Sequence, residues 1–310
     1  MLQEMPDPCG YFDLQVNGYG GVDFNQDDLT PDQLHCACEK LCADGVEGIL
    51  ATIITEKLDL MCGRIARIVE LREKDDLAKK LIAGIHVEGP FLNETSGFRG
   101  AHPADAIIPG EPALAGRLLD AGKEIVKVMT LAPERDRDFR VTKLLRKQGV
   151  IISAGHSDAT LDQLRGAIDS GLSMFTHVGN GCPMQMHRHD NIIQRALSLH
   201  EQLWLCFIAD GVHVPPPALK NYIRAAGYDR SIVVTDAIAP AGLGPGRYTL
   251  GRWDLLIGED MVARAPDGSH FVGSAGTMNK SVKILREKVD LSDEICRKLT
   301  CENPRRALSL

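Results

Sequence analysis

Eight apolar, β-rich runs alternate with stretches of helical period along this chain, the pattern of repeated βα units around a parallel sheet. The runs are FDLQV (12–16), GILATIIT (48–55), LIAGIHV (81–87), IVKVMTL (125–131), VIISAG (150–155), MFTHV (174–178), LWLCFIA (203–209) and SIVVTD (231–236). Helices are predicted between them: PDQLHCACEKLCADG has Pro31 near its start and Gly45 just past its end, and DQLRGAIDSG closes at Gly171. Eight such strands could also form an open doubly wound sheet, but no G-x-G-x-x-G opens a helix and no P-loop is present. A closed (β/α)8 barrel is the better expectation. With 310 residues, 44% of them hydrophobic, one barrel uses nearly the whole chain, so a single domain over 1–310 is expected.

The rhythm changes after the eighth run. Residues 244–274 are rich in Gly and Asp with a Pro-Asp-Gly turn, which predicts a β-hairpin excursion, and residues 277–289 and 292–300 read as two closing helices. The net charge of −7 argues against nucleic acid or an anionic membrane as partner, while leaving room for a local cationic pocket that takes an anionic small molecule. The N-terminus has no basic region followed by an apolar one, and no uncharged apolar run approaches 18 residues, so a cytoplasmic protein is expected. Nine scattered cysteines suggest reduced thiols. Cys36, Cys38 and Cys42 are the tightest group, and with no fourth ligand in view they read as packing residues rather than a metal site.

A barrel presents its chemistry on the loops that follow the strands. Here strand three runs into HVEGPF, strand five into SAGHSDAT, strand six into FTHVGNGCP, strand seven into IADGVHVP and strand eight into VVTDAIAP. Singly these residues have bland readings: His177 could be a hydrogen-bonded core histidine, and Asp158 and Asp210 could be helix N-caps. Glu88 is harder to explain that way, because carboxylates are rarely buried at strand ends without a partner. Five polar strand ends on one rim point to a site. Two imidazoles, His156 and His177, with the Glu88 carboxylate make a common catalytic ligand set for one divalent metal, zinc first and iron second. Asp236 is then the candidate general acid/base.

The motifs IHVEGPF, GAHP, SAGHSDAT, THVGN, ADGVHV, VVTDAIAPAG and GSAGTM, in this order, resemble those of the N-acetylglucosamine-6-phosphate deacetylase family of the amidohydrolase superfamily, over residues 11 to about 308. The resemblance implies an α/β fold, a TIM barrel of the metal-dependent amidohydrolase type. It also implies metal-dependent removal of the N-acetyl group from an amino-sugar phosphate. Where many amidohydrolases carry His-x-His after strand one, this chain has Gln15-Val16-Asn17, which resembles the deacetylases that use one metal ion. By the same likeness Ala101 and His102 would contact substrate, with His102 polarising the acetyl carbonyl. Asn180, Gly181, Asp210, His213, Gly276, Thr277 and Met278 would line the sugar site. Arg188 would clamp the phosphate, in many members from the neighbouring subunit of a homodimer.

Three departures stand out. Asn-Ala-Met-Pro of the family is Asn180-Gly181-Cys182-Pro183 here, and Arg-Glu-Pro-Gly is Arg188-His189-Asp190-Asn191. The resemblance also implies an accessory β-sandwich outside the barrel, and from this sequence that part is expected to be largely absent. A different N-acyl amino sugar as substrate, or an inactive barrel that binds an amino-sugar phosphate, are the competing expectations.

Overall fold

Thr30 shows how the sequence starts a helix here: its side chain accepts from the Gln33 backbone N–H, and the Gln33 side chain reaches back to the Thr30 N–H at 2.9 Å. This capping box, with Pro31 in the first turn, opens α1 (Pro31–Ala43). The protein is described by a computed structural model covering residues 10–259, 262–264 and 271–310. Around α1 lie β1 (Tyr11–Val16), the short pair β2 (Gly18–Tyr19) and β3 (Val22–Asp23), and β4 (Val46–Ile54). Next come α2 (Leu58–Glu73), α3 (Asp76–Leu81), β5 (Ile82–Glu88), α4 (Pro112–Gly122), β6 (Val126–Leu131), α5 (Arg140–Lys147) and β7 (Ile151–Ala154). Then follow α6 (Leu161–Ser170), β8 (Leu172–Phe175), α7 (Ile192–Ser198), β9 (Trp204–Ile208), α8 (Pro216–Ala226) and β10 (Ser231–Val234).

Eight strands pair in the order β1-β4-β5-β6-β7-β8-β9-β10, every neighbouring pair parallel. Seven of them contain most of one of the eight apolar runs, while β8 holds only Met174 and Phe175 of the sixth, having begun two residues earlier at Leu172. A parallel bridge between Val16 and Ala237 brings the two ends together, with the Asn17 N–H donating to the Ala237 carbonyl at 2.7 Å. Lower on the same seam a side chain takes the place of the ladder: the Asp13 carboxylate accepts from the Thr235 N–H at 3.2 Å and from its hydroxyl at 2.5 Å. The result is the expected (β/α)8 barrel. Its lower interior is filled by apolar side chains from several strands, among them Phe12, Leu50, Val128, Met174 and Ile232, and a larger apolar layer lies between strands and helices.

Asp13 is buried in this seam, and burial pushes its carboxyl up to about 7 against the lowering effect of the Thr235 and Gln15 hydrogen bonds. A raised folded-state pKa stabilises the fold fully below the unfolded value near 4, and that contribution is lost as pH rises through about 7. Asp13→Asn removes the ionisation. Its unfolding free energy relative to the parent should therefore shift in the variant's favour by up to about 4 kcal/mol between pH 4 and pH 8. Urea unfolding at the two pH values tests this, and a pH-independent difference would show that the seam does not titrate.

After β10 the chain leaves the barrel. The expected hairpin is a three-stranded antiparallel sheet of β11 (Gly246–Leu250), β12 (Trp253–Ile257) and β13 (Ala263–Arg264). The Pro-Asp-Gly turn expected at 266–268 lies outside the described residues. The first closing helix is α9 (Met278–Ile284), continued by a π-helical stretch to Val289. The second is longer than expected: α10 (Asp293–Arg297) passes through a π-helical stretch, Lys298–Glu302, into α11 (Asn303–Ala307). Cys38 is buried in the core, consistent with packing, and among the described residues seven cysteines are free. Among the described residues no helix is long and apolar enough to cross a membrane.

Candidate active site and metal centre

The strands deliver their polar ends by a shared device. Glu88 is the last residue of β5, and His156, His177 and Asp236 each stand two residues beyond the end of their strand, β7, β8 and β10. All three have left-handed backbones, with φ of 51°, 30° and 52°. Such a φ costs a non-glycine residue about 1–3 kcal/mol and persists where the surroundings impose it. The sequence reading placed His177 and Asp236 inside strands six and eight. The left-handed turn ends each ladder before them.

Glu88, His156 and His177 form one cluster, all buried, and among the described residues it is the one group of such side chains whose ligand atoms all lie within 4.8 Å of one another. Glu88 Oε1 is 3.0 Å from His177 Nε2 and 3.3 Å from His156 Nε2, and the two Nε2 atoms are 3.1 Å apart. Ligands about 2.0–2.1 Å from a tetrahedral zinc are about 3.3 Å from each other, so the triangle has the size a metal requires. His156 Nδ1 is 2.8 Å from the Phe98 carbonyl, which fixes the tautomer that leaves Nε2 free to ligate. His177 Nδ1 is a buried atom with no partner. The residues fit one divalent ion.

Electrostatics agree with that donor set. Burial opposes a charge on Glu88, but the hydrogen bonds to His156 and His177 hold its carboxyl well below the usual range. Burial and then the Glu88 charge push Asp236 up to about 6. Burial, with His156 beside it, drops His102 to about 3, so this imidazole is neutral at physiological pH. His102 Nε2 stands 3.2 Å from His156 Nε2, at the same centre as the ligands. Gly100 and Gly181, both with positive φ, pack on the His156 ring: a Cβ at Gly181 would meet Nδ1 at 2.9 Å, and one at Gly100 would meet Cε1 at 3.1 Å. This close approach explains glycine at both positions.

Gln15 and Asn17 do more than replace two histidines. Gln15 Nε2 donates to Glu88 Oε1 at 3.2 Å, and Asn17 Nδ2 donates to Asp236 Oδ1 at 2.7 Å. Below them, His86 bridges the Leu14 carbonyl and Thr130, which continues to Thr176 and Ser153 through contacts of 2.6–2.7 Å. The sequence reading missed this layer, although the period of two in His86-Val87-Glu88 puts His86 and Glu88 on one face of the strand.

The remaining candidates fall into two groups. Asp210 accepts from the Val212 and His213 N–H groups, lies 2.7 Å from His213 Nδ1, and accepts from the Ser274 hydroxyl at 2.9 Å. Burial opposes its charge, but His213 holds its carboxyl below the ordinary value. Asp210 therefore organises a turn rather than capping a helix. Asp158 is not a cap either: Thr160 caps α6, and Asp158 pairs with Arg195. Asn180 bonds back to His177, Ala101 packs against the excursion, and Gly276 N–H donates to Ser274. Thr277 caps α9, and Met278 is buried in the core. Arg188 is exposed on the loop after β8.

No protein-family model matches the chain. It is 30% identical over 303 residues to the N-acetylglucosamine-6-phosphate deacetylase of Bacillus subtilis, covering 97% of this chain and 75% of that one. This chain belongs to the N-acetylglucosamine-6-phosphate deacetylase family. Among other relatives of this family member is the N-acetylgalactosamine-6-phosphate deacetylase of Escherichia coli O157:H7, 30% identical over 277 residues, 89% of this chain and 71% of that protein. A mutant N-acetyl-D-glucosamine-6-phosphate deacetylase of Mycobacterium smegmatis, solved with N-acetyl-D-glucosamine 6-phosphate, superposes on this deacetylase family member with a TM-score of 0.88 at 30% identity. That match covers 97% of this chain and 77% of the other. The chain thus spans about three quarters of the length of these relatives.

Proposed function

We propose that the protein hydrolyses the N-acetyl group of N-acetylglucosamine 6-phosphate, giving glucosamine 6-phosphate and acetate. The observation that carries this reading is the convergence of Glu88, His156 and His177 on one metal-sized triangle beside His102 and Asp236. A divalent cation held by the three ligands, zinc in the first instance and iron in the second, would supply Lewis acidity and ease ionisation of water. Asp236, oriented by Asn17, takes the proton as the water oxygen bonds to the acetyl carbon, then returns it to the sugar nitrogen as the C–N bond breaks. Neutral His102 donates a hydrogen bond to the carbonyl oxygen as it gains charge. Acetate leaves with the water oxygen.

A second reading, hydrolysis of N-acetylgalactosamine 6-phosphate, is favoured by the equal 30% identity to the Escherichia coli relative of that name. The Asn180-Gly181-Cys182-Pro183 stretch beside His156 is where the two sugars would be told apart. Acetate release from each sugar phosphate by metal-loaded protein tests both readings, and release from neither with zinc, iron, cobalt or manganese overturns the assignment.

For Arg188 we propose contact with the phosphate, within one subunit or across a homodimer, since its exposed guanidinium suits bidentate recognition. Arg188→Ala should raise KM for the phosphorylated sugar about tenfold or more, leaving KM for N-acetylglucosamine unchanged. An equal rise for both sugars would remove the phosphate role.

A further inference from the structure

The β11–β12 turn is fastened to three separate barrel loops. Gly251 N–H donates to Asp23 Oδ2 at 2.6 Å, in β3 within the connection after β1. Arg252 grips the buried Glu56, just past β4, with both ends of its guanidinium, Nε to Oε2 at 2.7 Å and Nη2 to Oε1. Its remaining nitrogen, Nη1, donates to Asp105 Oδ1 at 2.9 Å. Asp105 lies three residues after His102, in the long connection between β5 and α4. That connection also supplies the Phe98 carbonyl to His156 and the Gly100 backbone against its ring.

Packing makes the same link a second time. The excursion has its own apolar cluster, built from Leu250, Leu255, Ile257 and Val272 with Ile54 and Ile238 of the barrel, and Ala101 packs against it. Residues on both sides of His102 are therefore held by the excursion, Ala101 by apolar contact and Asp105 by charge. The loop itself contains no helix or strand between Glu88 and Pro112 that could hold His102 in place.

We propose that Arg252 is a positioning residue for catalysis: by tying Asp105 to the barrel through Glu56, it holds the loop that carries His102 at the reacting centre. The excursion is then a structural part of the active-site wall. This inference rests on the deacetylase reading for its kinetic consequence, but not for its structural one. Arg252→Ala would leave Glu56 buried without its partner and could disturb folding. Asp105→Asn is the cleaner variant, because Asp105 is 57% exposed and the Arg252–Glu56 pair stays intact.

Hydrogen–deuterium exchange of the full chain without substrate reads the clamp directly. Asp105→Asn should speed uptake across residues 97–108 about fivefold, the population change expected from losing an ion pair of this exposure. With N-acetylglucosamine 6-phosphate, kcat should fall about fivefold while KM, melting temperature and metal content stay as in the parent. In a His102→Ala background the same change should add less than about twofold. Unchanged uptake overturns the clamp. An equal fall in kcat with and without His102 overturns its action through that histidine. If the parent releases no acetate, the functional reading fails while the exchange result still decides the clamp.

Discussion

Asp236→Asn is expected to lower kcat by roughly 10²- to 10⁴-fold, the usual worth of a positioned general acid/base, with metal content unchanged. The substitution isolates the chemistry for two reasons. Asp236 sits at φ 52°, a conformation that asparagine tolerates better than most residues, so the backbone need not move. The hydrogen bond from Asn17 Nδ2 goes to Oδ1, and the side-chain amide retains an oxygen that can accept it. What is lost is the basic carboxylate alone. The pH profile supplies an independent check. Asp236 must be ionised to take the proton, so kcat/KM rises with pH through its titration, which burial and the Glu88 charge place at about 6 in the metal-free chain. A cation beside it pulls the carboxyl down, so the acid limb of the loaded enzyme should lie at or below about 6. Parent-level activity in the variant, or a limb well above 6, would assign the proton transfer to another group.

The barrel was legible because its signal is repeated: eight apolar runs, each bounded by helical segments, survive errors of one or two residues at any boundary. The cluster of candidate ligands was legible for a related reason. A barrel gathers its strand ends on one rim, so Glu88, His156 and His177 could be grouped although up to 89 residues separate them. What sequence pattern could not supply was the local backbone. The left-handed turns at His156, His177 and Asp236 are imposed by tertiary packing on residues with no glycine-like signature, so the strand ends were drawn through two of them. Long-range polar pairing was equally hidden. Arg252 and Glu56 are 196 positions apart, and nothing in either neighbourhood marks the other. Gln15 and Asn17 were visible only as missing histidines, because their role depends on which carboxylate each one faces.

Glu88→Gln is the second large effect expected, and it tests the metal centre apart from the chemistry. The ligand triangle contains a single formal charge, and replacing it with a neutral amide leaves two imidazoles to hold a dication. Metal content after dialysis should fall from about one ion per chain to near zero, and kcat/KM by about 10³-fold. Thermal unfolding separates this from misfolding. A ligand that binds only the folded state at 100 times its Kd adds about 2.7 kcal/mol, so added zinc should raise the parent's melting temperature by about 4 °C. The variant's should not move. Without metal the two proteins should also differ in a way that depends on pH. Glu88 has a depressed carboxyl pKa, so its charge stabilises the fold above the ordinary carboxylate range, and that contribution is lost as pH falls through the depressed value. The metal-free variant should accordingly be less stable than the parent at pH 7, with the gap closing under acid. Equal zinc shifts in the two proteins would mean that the ion is held elsewhere, and the triangle of Glu88, His156 and His177 would then be a buried hydrogen-bond cluster without a metal.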